Sequence, residues 1–326
     1  MRVGIIGAGI LGASVAYHLA KSGVDVVIVD RNDKGKATSA SAGIICPWLS
    51  QRRNKKWYEL VKNGARFYQE IINELKWLGI DQTGYDQVGV LSVHSDLTKL
   101  EKMRERALKR KIDAPEIGDI HLYDHDEASR KFPLLADTYH GLFVSGGARV
   151  DGKKVCQALI DGAIHYGANY IHGDASILTK EQHAKGFKVD HEEVLCDKVV
   201  VTAGAWAQKL LRPIQISFQV EPQRAQIIHM KLKTNMENWP VVITPTSKYI
   251  LGFENGYIIA GSTYEEATNF EPTTSVRGLH EILNVVGDTA PQLLESNLIE
   301  AKVGFRPVVP NFLPVFGEVE QYEGYI

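Results

Sequence analysis

Only three cysteines, Cys46, Cys156 and Cys196, occur in 326 residues, odd in number and far apart. That argues against a disulfide framework and for free thiols in a reducing compartment, so the sequence reads as cytoplasmic. An excess of one charge is also missing, with 37 Lys and Arg against 39 Asp and Glu. Such a balance gives no bulk attraction to nucleic acid or to an anionic membrane. The basic clusters at Arg52, Arg53, Lys55 and Lys56, and from Arg104 to Lys111, read as solvated faces. Long apolar runs are scarce. Val3 to Ala16 has the apolar character of a signal-peptide core, but its glycines have another explanation, and no other run is long enough to span a bilayer. Repeats and low-complexity linkers are absent. What is present, 44% apolar residues over this length, supports a substantial core and two domains, interleaved along the chain.

The N-terminus reads as a βαβ unit. Arg2 to Ile6 is a short buried strand, Leu11 to Ser22 a helix with small residues on one face, and Val24 to Val29 a valine-rich second strand. Further helices are expected over Asn54 to Leu78, over Leu97 to Lys111 with Asp96 as its cap, and over Lys153 to Tyr166. A strand is expected at Gly89 to Val93, short strands through Tyr170, Ile177, Phe187 and Val194, and an apolar one at Lys198 to Val201. After Pro213 the pattern turns to β, with strands at Ile214 to Val220, Gln226 to Leu232, Tyr249 to Gly252 and Tyr257 to Ala260.

Gly7-Ala8-Gly9-Ile10-Leu11-Gly12 matches G-x-G-x-x-G, and its context makes the match informative: a strand ends at Gly7, a helix begins within the motif, and Asp30 closes the second strand. Gly7 allows the tight turn, Gly9 lets the backbone approach a pyrophosphate, and Gly12 lets the helix pack closely on the strands. The helix N-terminus presents unpaired N–H groups and partial positive charge to the diphosphate. Asp30, beside Arg31, would accept hydrogen bonds from ribose hydroxyls and repel a 2′-phosphate, which disfavours NADP. NAD and FAD share the same adenosine diphosphate, so the motif leaves the choice between them open. A metal site finds little support. His121 and His125 are four apart, but the residues between and beyond them make a poor helix and no third ligand is suggested.

Three further stretches decide the cofactor. Ala37-Thr38-Ser39-Ala40-Ser41-Ala42-Gly43-Ile44, then Val199-Val200-Val201-Thr202-Ala203-Gly204-Ala205-Trp206, then Gly304-Phe305-Arg306-Pro307 with Leu313-Pro314-Val315-Phe316-Gly317, resemble in order the flavin-contacting segments of the D-amino-acid oxidase family of FAD enzymes, and within it glycine oxidase. Asn311 stands where the family often has Asp. The resemblance implies an α/β fold of the glutathione-reductase type, a Rossmann-like FAD-binding domain interleaved with a mostly antiparallel β-sheet substrate domain. The expected division is 1–48, 141–213 and 304–326 for FAD, and 49–140 and 214–303 for substrate. It also implies cofactor contacts at Gly7, Gly9, Ile10, Leu11, Gly12, Asp30, Arg31, Ser39, Ala42, Gly43, Ile44, Ser176, Ala203, Gly204 and Arg306. Substrate binding falls by the same resemblance to Arg306, which aligns with a carboxylate-binding arginine, to Tyr249, and to Tyr264, whose type differs from that in glycine oxidase. No cysteine follows Cys196, so the late cysteine that carries covalent flavin in sarcosine oxidases has no counterpart and the FAD is expected to be noncovalent. The chain stops at Gly324-Tyr325-Ile326, inside what reads as a strand, and is expected to be incomplete, since the family continues through a loop and helix that add flavin contacts and an arginine.

The implied activity is oxidation of the C–N bond of a small amino acid or amine, with O₂ reoxidising the flavin and giving hydrogen peroxide. Alternatives are a D-amino-acid dehydrogenase that passes electrons to a quinone or protein acceptor, a noncatalytic FAD-binding protein, and an NAD-dependent dehydrogenase. The last leaves Ser39 to Gly43 and Gly304 to Pro307 without a role. A homo-oligomer remains open.

Overall fold

The computed structural model describes residues 1–181, 183–267 and 269–319. The expected strand at the chain end, the final residues of the 304–326 segment and any contacts made there lie outside the described residues.

Strand β1 (Arg2–Ile6), helix α1 (Ile10–Lys21) and strand β2 (Asp25–Asp30) form the expected βαβ unit. Among the described residues its sheet is four-stranded and parallel, with β1 between β2 and Lys198–Val201, and Asn169–His172 outside β2. Small residues on α1 (Gly12, Ala13, Ala16 and Ala20) are buried, which lets the helix lie close to the helix Gly152–His165. The fit is tight: a Cβ on Gly162 of that second helix would come within 2.7 Å of the Tyr17 ring. The opposite face of the sheet is covered by the antiparallel strands Ala175–Lys180, His183–Val189 and Glu192–Leu195, whose Phe187 and Val189 pack with Val27 and Val29. The parallel sheet is therefore sandwiched between helices and a β-meander, and its strands are apolar on both faces.

The larger sheet runs in the order Glu265–Glu266, Glu221–Lys231, Tyr257–Gly261, Tyr249–Gly252, Val241–Ile243, Val90–His94, His140–Val144, Ile120–Tyr123. Its pairs are antiparallel apart from Val241–Ile243 with Val90–His94. Asn297–Val308 pairs with the whole of Glu221–Lys231 and sets Arg306 opposite Gln223. The expected boundaries at 141 and 304 both fall within strands of this sheet.

Helix Leu97–Lys111 is capped by Asp96, which accepts from Thr98 N at 3.0 Å. One expected strand is absent. Ile214 to Val220 begins as a 3₁₀ turn and continues without regular structure, and pairing starts only at Glu221, where Val308 supplies a partner. The apolar content of 214–220 serves packing instead, with Ile216 and Val220 buried. Helix Val276–Thr289 was not expected. Ser275 caps it, accepting from Gly278 N at 3.1 Å, and its Ile282 and Val286 are buried.

The two sheets meet along Gly35 and Lys36. Phe305 N donates to Gly35 O at 2.9 Å, and Lys36 forms a parallel bridge with Phe305.

Candidate active site

The C-terminal ends of the parallel strands open onto a cavity of about 1290 Å³, larger than a drug-sized ligand needs and suited to an extended cofactor with a substrate beyond it. The three motif glycines have three separate geometries. Gly7 has φ of +107°, and a Cβ there would lie 2.6 Å from Thr202 O. At Gly12 it would lie 1.9 Å from Gly7 O, so that position tolerates no side chain. At Gly9 the nearest atom would be Thr38 Oγ1 at 3.5 Å, because Gly9 faces the cavity. Thr202 ties the turn down by donating to Gly7 O at 2.7 Å. At the N-terminus of α1 Gly9 offers no side-chain cap, Ile10 N donates to Thr38 Oγ1 at 3.0 Å, the first turn has no acidic residue, and Gly9, Ile10 and Leu11 line the cavity. That donor-rich, positively polarised end fits a diphosphate.

The Asp30 carboxylate accepts from Ala8 N at 2.6 Å, from Asn32 N at 2.6 Å and from Lys36 Nζ at 2.8 Å. Lys36 is a site residue that sequence reading missed, because a lone lysine six positions after the acid belongs to no motif. Arg31 lines the same wall and pairs with Asp33 at 2.5 Å and Asp174 at 3.0 Å, two residues before Ser176, which also lines it. Thr38, Ser41, Gly43 and Ile44 border the cavity, whereas Ser39 is exposed and Ala42 is buried in the core. Gly43 has a packing reason of its own, since a Cβ there would come 1.7 Å from Val150 O. Ala203 and Gly204 close the nucleotide side. Gly204 has φ of +55° and open space where a Cβ would be.

At the far end, Arg306 reaches the cavity from the strand Asn297–Val308. Its Nη2 donates to Ser262 Oγ at 2.6 Å and its Nη1 to Gln223 Oε1 at 3.4 Å, and its Cζ lies 4.5 Å from the centre of the Tyr264 ring. These partners are neutral, and among the described residues no carboxylate pairs with Arg306. Tyr249 lies beside Ser262 and Arg306. Burial pushes its hydroxyl pKa up, against the opposing pull of Ser262 and the Arg306 charge. Tyr249 thus joins the Arg306 cluster without lining the cavity wall, while Tyr264 lines it and is largely exposed. Gln223, Ser262, Arg52 and Trp57 are site residues with no local sequence signal; Arg52, expected on a solvated face, lines the cavity with Trp57 and Phe312.

Burial pushes the Cys46 thiol up to about 12 and that of Cys156 up to about 11, where Cys156 Sγ sits 3.3 Å from Ala8 O, so both stay protonated at neutral pH. His121 lies on the strand Ile120–Tyr123 and His125 begins the following helix, so they share no helix face. Among the described residues no cluster of three or more His, Cys, Asp or Glu is placed to hold a metal, and no helix is long and apolar enough to cross a membrane.

A glycine-lined nucleotide cradle with an arginine-anchored chamber beyond it defines a flavin-dependent oxidoreductase. The family model for FAD dependent oxidoreductases of the DAO type matches residues 2–326, and the chain belongs to that family. YurR, an uncharacterized oxidoreductase of Bacillus subtilis (strain 168), is 48% identical over 322 residues, 98% of this chain and 87% of the relative. The crystal structure of iminodiacetate oxidase from Chelativorans sp. BNC1 superposes with a TM-score of 0.96 at 39% identity, covering 99% of this chain and 88% of that one. Glycine oxidase from Bacillus cereus ATCC 14579 shares the fold, with a TM-score of 0.87 at 22% identity over 99% of this chain and 87% of that one.

Proposed function

We propose that this chain oxidises the C–N bond of a small amino acid or amine that carries a carboxylate, and that O₂ takes up the electrons. The observation that carries the reading is Arg306, a cavity-facing guanidinium held by two neutral side chains with no carboxylate among the described residues. Bound FAD supplies a hydride acceptor for the substrate α-carbon hydrogen and the reactivity toward O₂ that yields peroxide.

Arg306 presents a planar fork to a substrate carboxylate, and Ser262 and Gln223 hold that fork in place before substrate arrives. Tyr249, kept protonated by burial, is a hydrogen-bond donor for the same carboxylate. Tyr264 lies against the Arg306 guanidinium and limits its swing. Orientation of the C–H bond is the protein's main contribution, which is why no catalytic triad is needed. We assign residues 1–48, 141–213 and 304–326 to cofactor binding and 49–140 and 214–303 to the substrate side. The FAD is read as noncovalent.

The similarity to glycine oxidases and to iminodiacetate oxidase supports this chemistry. The test is anaerobic addition of glycine, sarcosine, D-alanine and iminodiacetate to the yellow holoprotein, followed by air. Bleaching by one of them, with colour and peroxide returning in air, is expected. Colour that returns only with an added quinone or dye would replace the oxidase reading with a dehydrogenase, and a flavin that none of them bleaches would overturn the reaction.

A further inference from the structure

The cavity that Arg306 lines has a second guanidinium in its wall. Arg52 lies just before the helix Lys55–Trp77, and its Cζ sits 4.7 Å from the Trp57 ring centre. That ring is set by a rigid first turn, where Asn54 Oδ1 accepts from Trp57 N at 2.9 Å. Arg52 Nη2 donates to the main-chain oxygen of Phe312, on the segment that follows the Arg306 strand. Arg52, Trp57 and Phe312 all border the cavity. A guanidinium has five N–H donors, and among the described residues that of Arg52 makes one hydrogen bond, to a neutral carbonyl. Among the described residues no carboxylate pairs with Arg52.

We propose that Arg52 is a second anion anchor of the substrate chamber, and that the substrate is a small amine with an anionic group at each end: a carboxylate for Arg306 and a second carboxylate or comparable anion for Arg52. This rests on the reading that Arg306 takes the carboxylate of an amine substrate. Trp57 keeps the Arg52 plane preoriented, so little side-chain freedom is lost when the second anion binds. A carboxylate is a stronger partner than the Phe312 carbonyl, because the bonds become charge-assisted and paired. Arg52 discriminates between substrates and takes no part in the C–H cleavage, so its loss is felt in KM for doubly anionic substrates and leaves singly anionic ones alone.

The test separates binding from turnover by using two ethers that have no nitrogen to oxidise. Oxydiacetate and methoxyacetate differ by one carboxylate, and each is titrated into the holoenzyme with calorimetry and the flavin absorbance as readouts. The wild type is expected to bind oxydiacetate about tenfold or more tightly than methoxyacetate, the size of a charge-assisted hydrogen-bonded contact. Arg52→Gln should bring the two affinities together by weakening oxydiacetate alone, Arg52→Lys should recover part of the preference, and Arg306→Gln should weaken both ligands. The proposal is overturned if Arg52→Gln keeps the preference, or if it weakens both ligands equally as a loop brace would. A preference that disappears in Arg52→Gln, in a protein whose flavin no amine bleaches, would leave the anchor standing and overturn the reaction instead.

Discussion

The two ends of the cavity are built in opposite ways. At the nucleotide end most contacts lie within residues 7–38, where Ala8 N and Lys36 Nζ donate to Asp30 and Ile10 N to Thr38 Oγ1, and Thr202 adds its bond to Gly7 O from the neighbouring strand end. Beyond it, Arg306, Gln223, Ser262 and Tyr249 come together from segments separated by up to 83 residues, and Arg52 joins the cavity wall from much earlier in the chain. The first end is a local motif stabilised by backbone geometry. The second exists only once the large sheet has set its register, so the two ends are expected to fail differently when perturbed.

The largest expected effect is at the nucleotide end. Gly12→Val places carbon where Gly7 O already lies, and such overpacking costs about 1–3 kcal/mol or more, so the variant should lose FAD and show a lower Tm. Gly9→Ala is its counterpart: the cavity accepts the methyl, so the apoprotein should melt near the wild-type temperature while FAD affinity falls. Absorbance ratio and thermal unfolding read both, and equal losses of stability in the two variants would contradict the assigned geometry.

Arg306→Gln should act at the other end alone. Removing a charge-paired anchor costs roughly 2–5 kcal/mol, so the anaerobic flavin reduction rate at low substrate should fall about 100-fold or more with FAD content unchanged. FAD loss from this variant would show that the two ends are not separable.

The substrate-side sheet should also carry a pH response. Burial holds the His229 pKa down at about 4, with Lys302 adding to the shift and Glu300 and Asp151 opposing it. The unfolded chain takes up the proton near the ordinary value of about 6.5, while the native state stays neutral down to about 4. Stability is therefore full above that ordinary value and declines between it and about pH 4, by at most about 3 kcal/mol. Denaturant unfolding across that window should show the slope, and His229→Gln should flatten it.

Tyr249→Phe is expected to be the mildest change. It removes the hydroxyl beside Arg306 that the proposed function assigns as a donor to the substrate carboxylate, so kcat/KM should fall about tenfold with FAD binding and Tm nearly unchanged.

This contrast also accounts for what was legible beforehand. The βαβ unit, the helix capped by Asp96 and the strand Lys198–Val201 follow from local patterning, and appear within a residue or two of expectation. Ile214 to Val220 misled because its alternating apolar residues, Ile216 and Val220 among them, are buried in a segment that is not a strand among the described residues. Lys36, Gln223 and Ser262 carried no signal, since each matters only through a neighbour that the fold brings to it. Arg52 was hidden for the same reason, as one cation in a run of four.

Lys36 has one further consequence. Its ammonium holds the Asp30 carboxylate, while its backbone bridges to Phe305, the residue before Arg306. One peptide thus touches both Asp30 and the strand that carries Arg306. A cofactor that shifted Lys36 would shift the Arg306 strand with it, and any change this made in the hold on a ligand at Arg306 would be returned by the same factor in the hold on the cofactor. Replacing the Arg306 side chain leaves this backbone bridge intact, so a loss of substrate binding at Arg306 and a change in the bridge itself are distinguishable events.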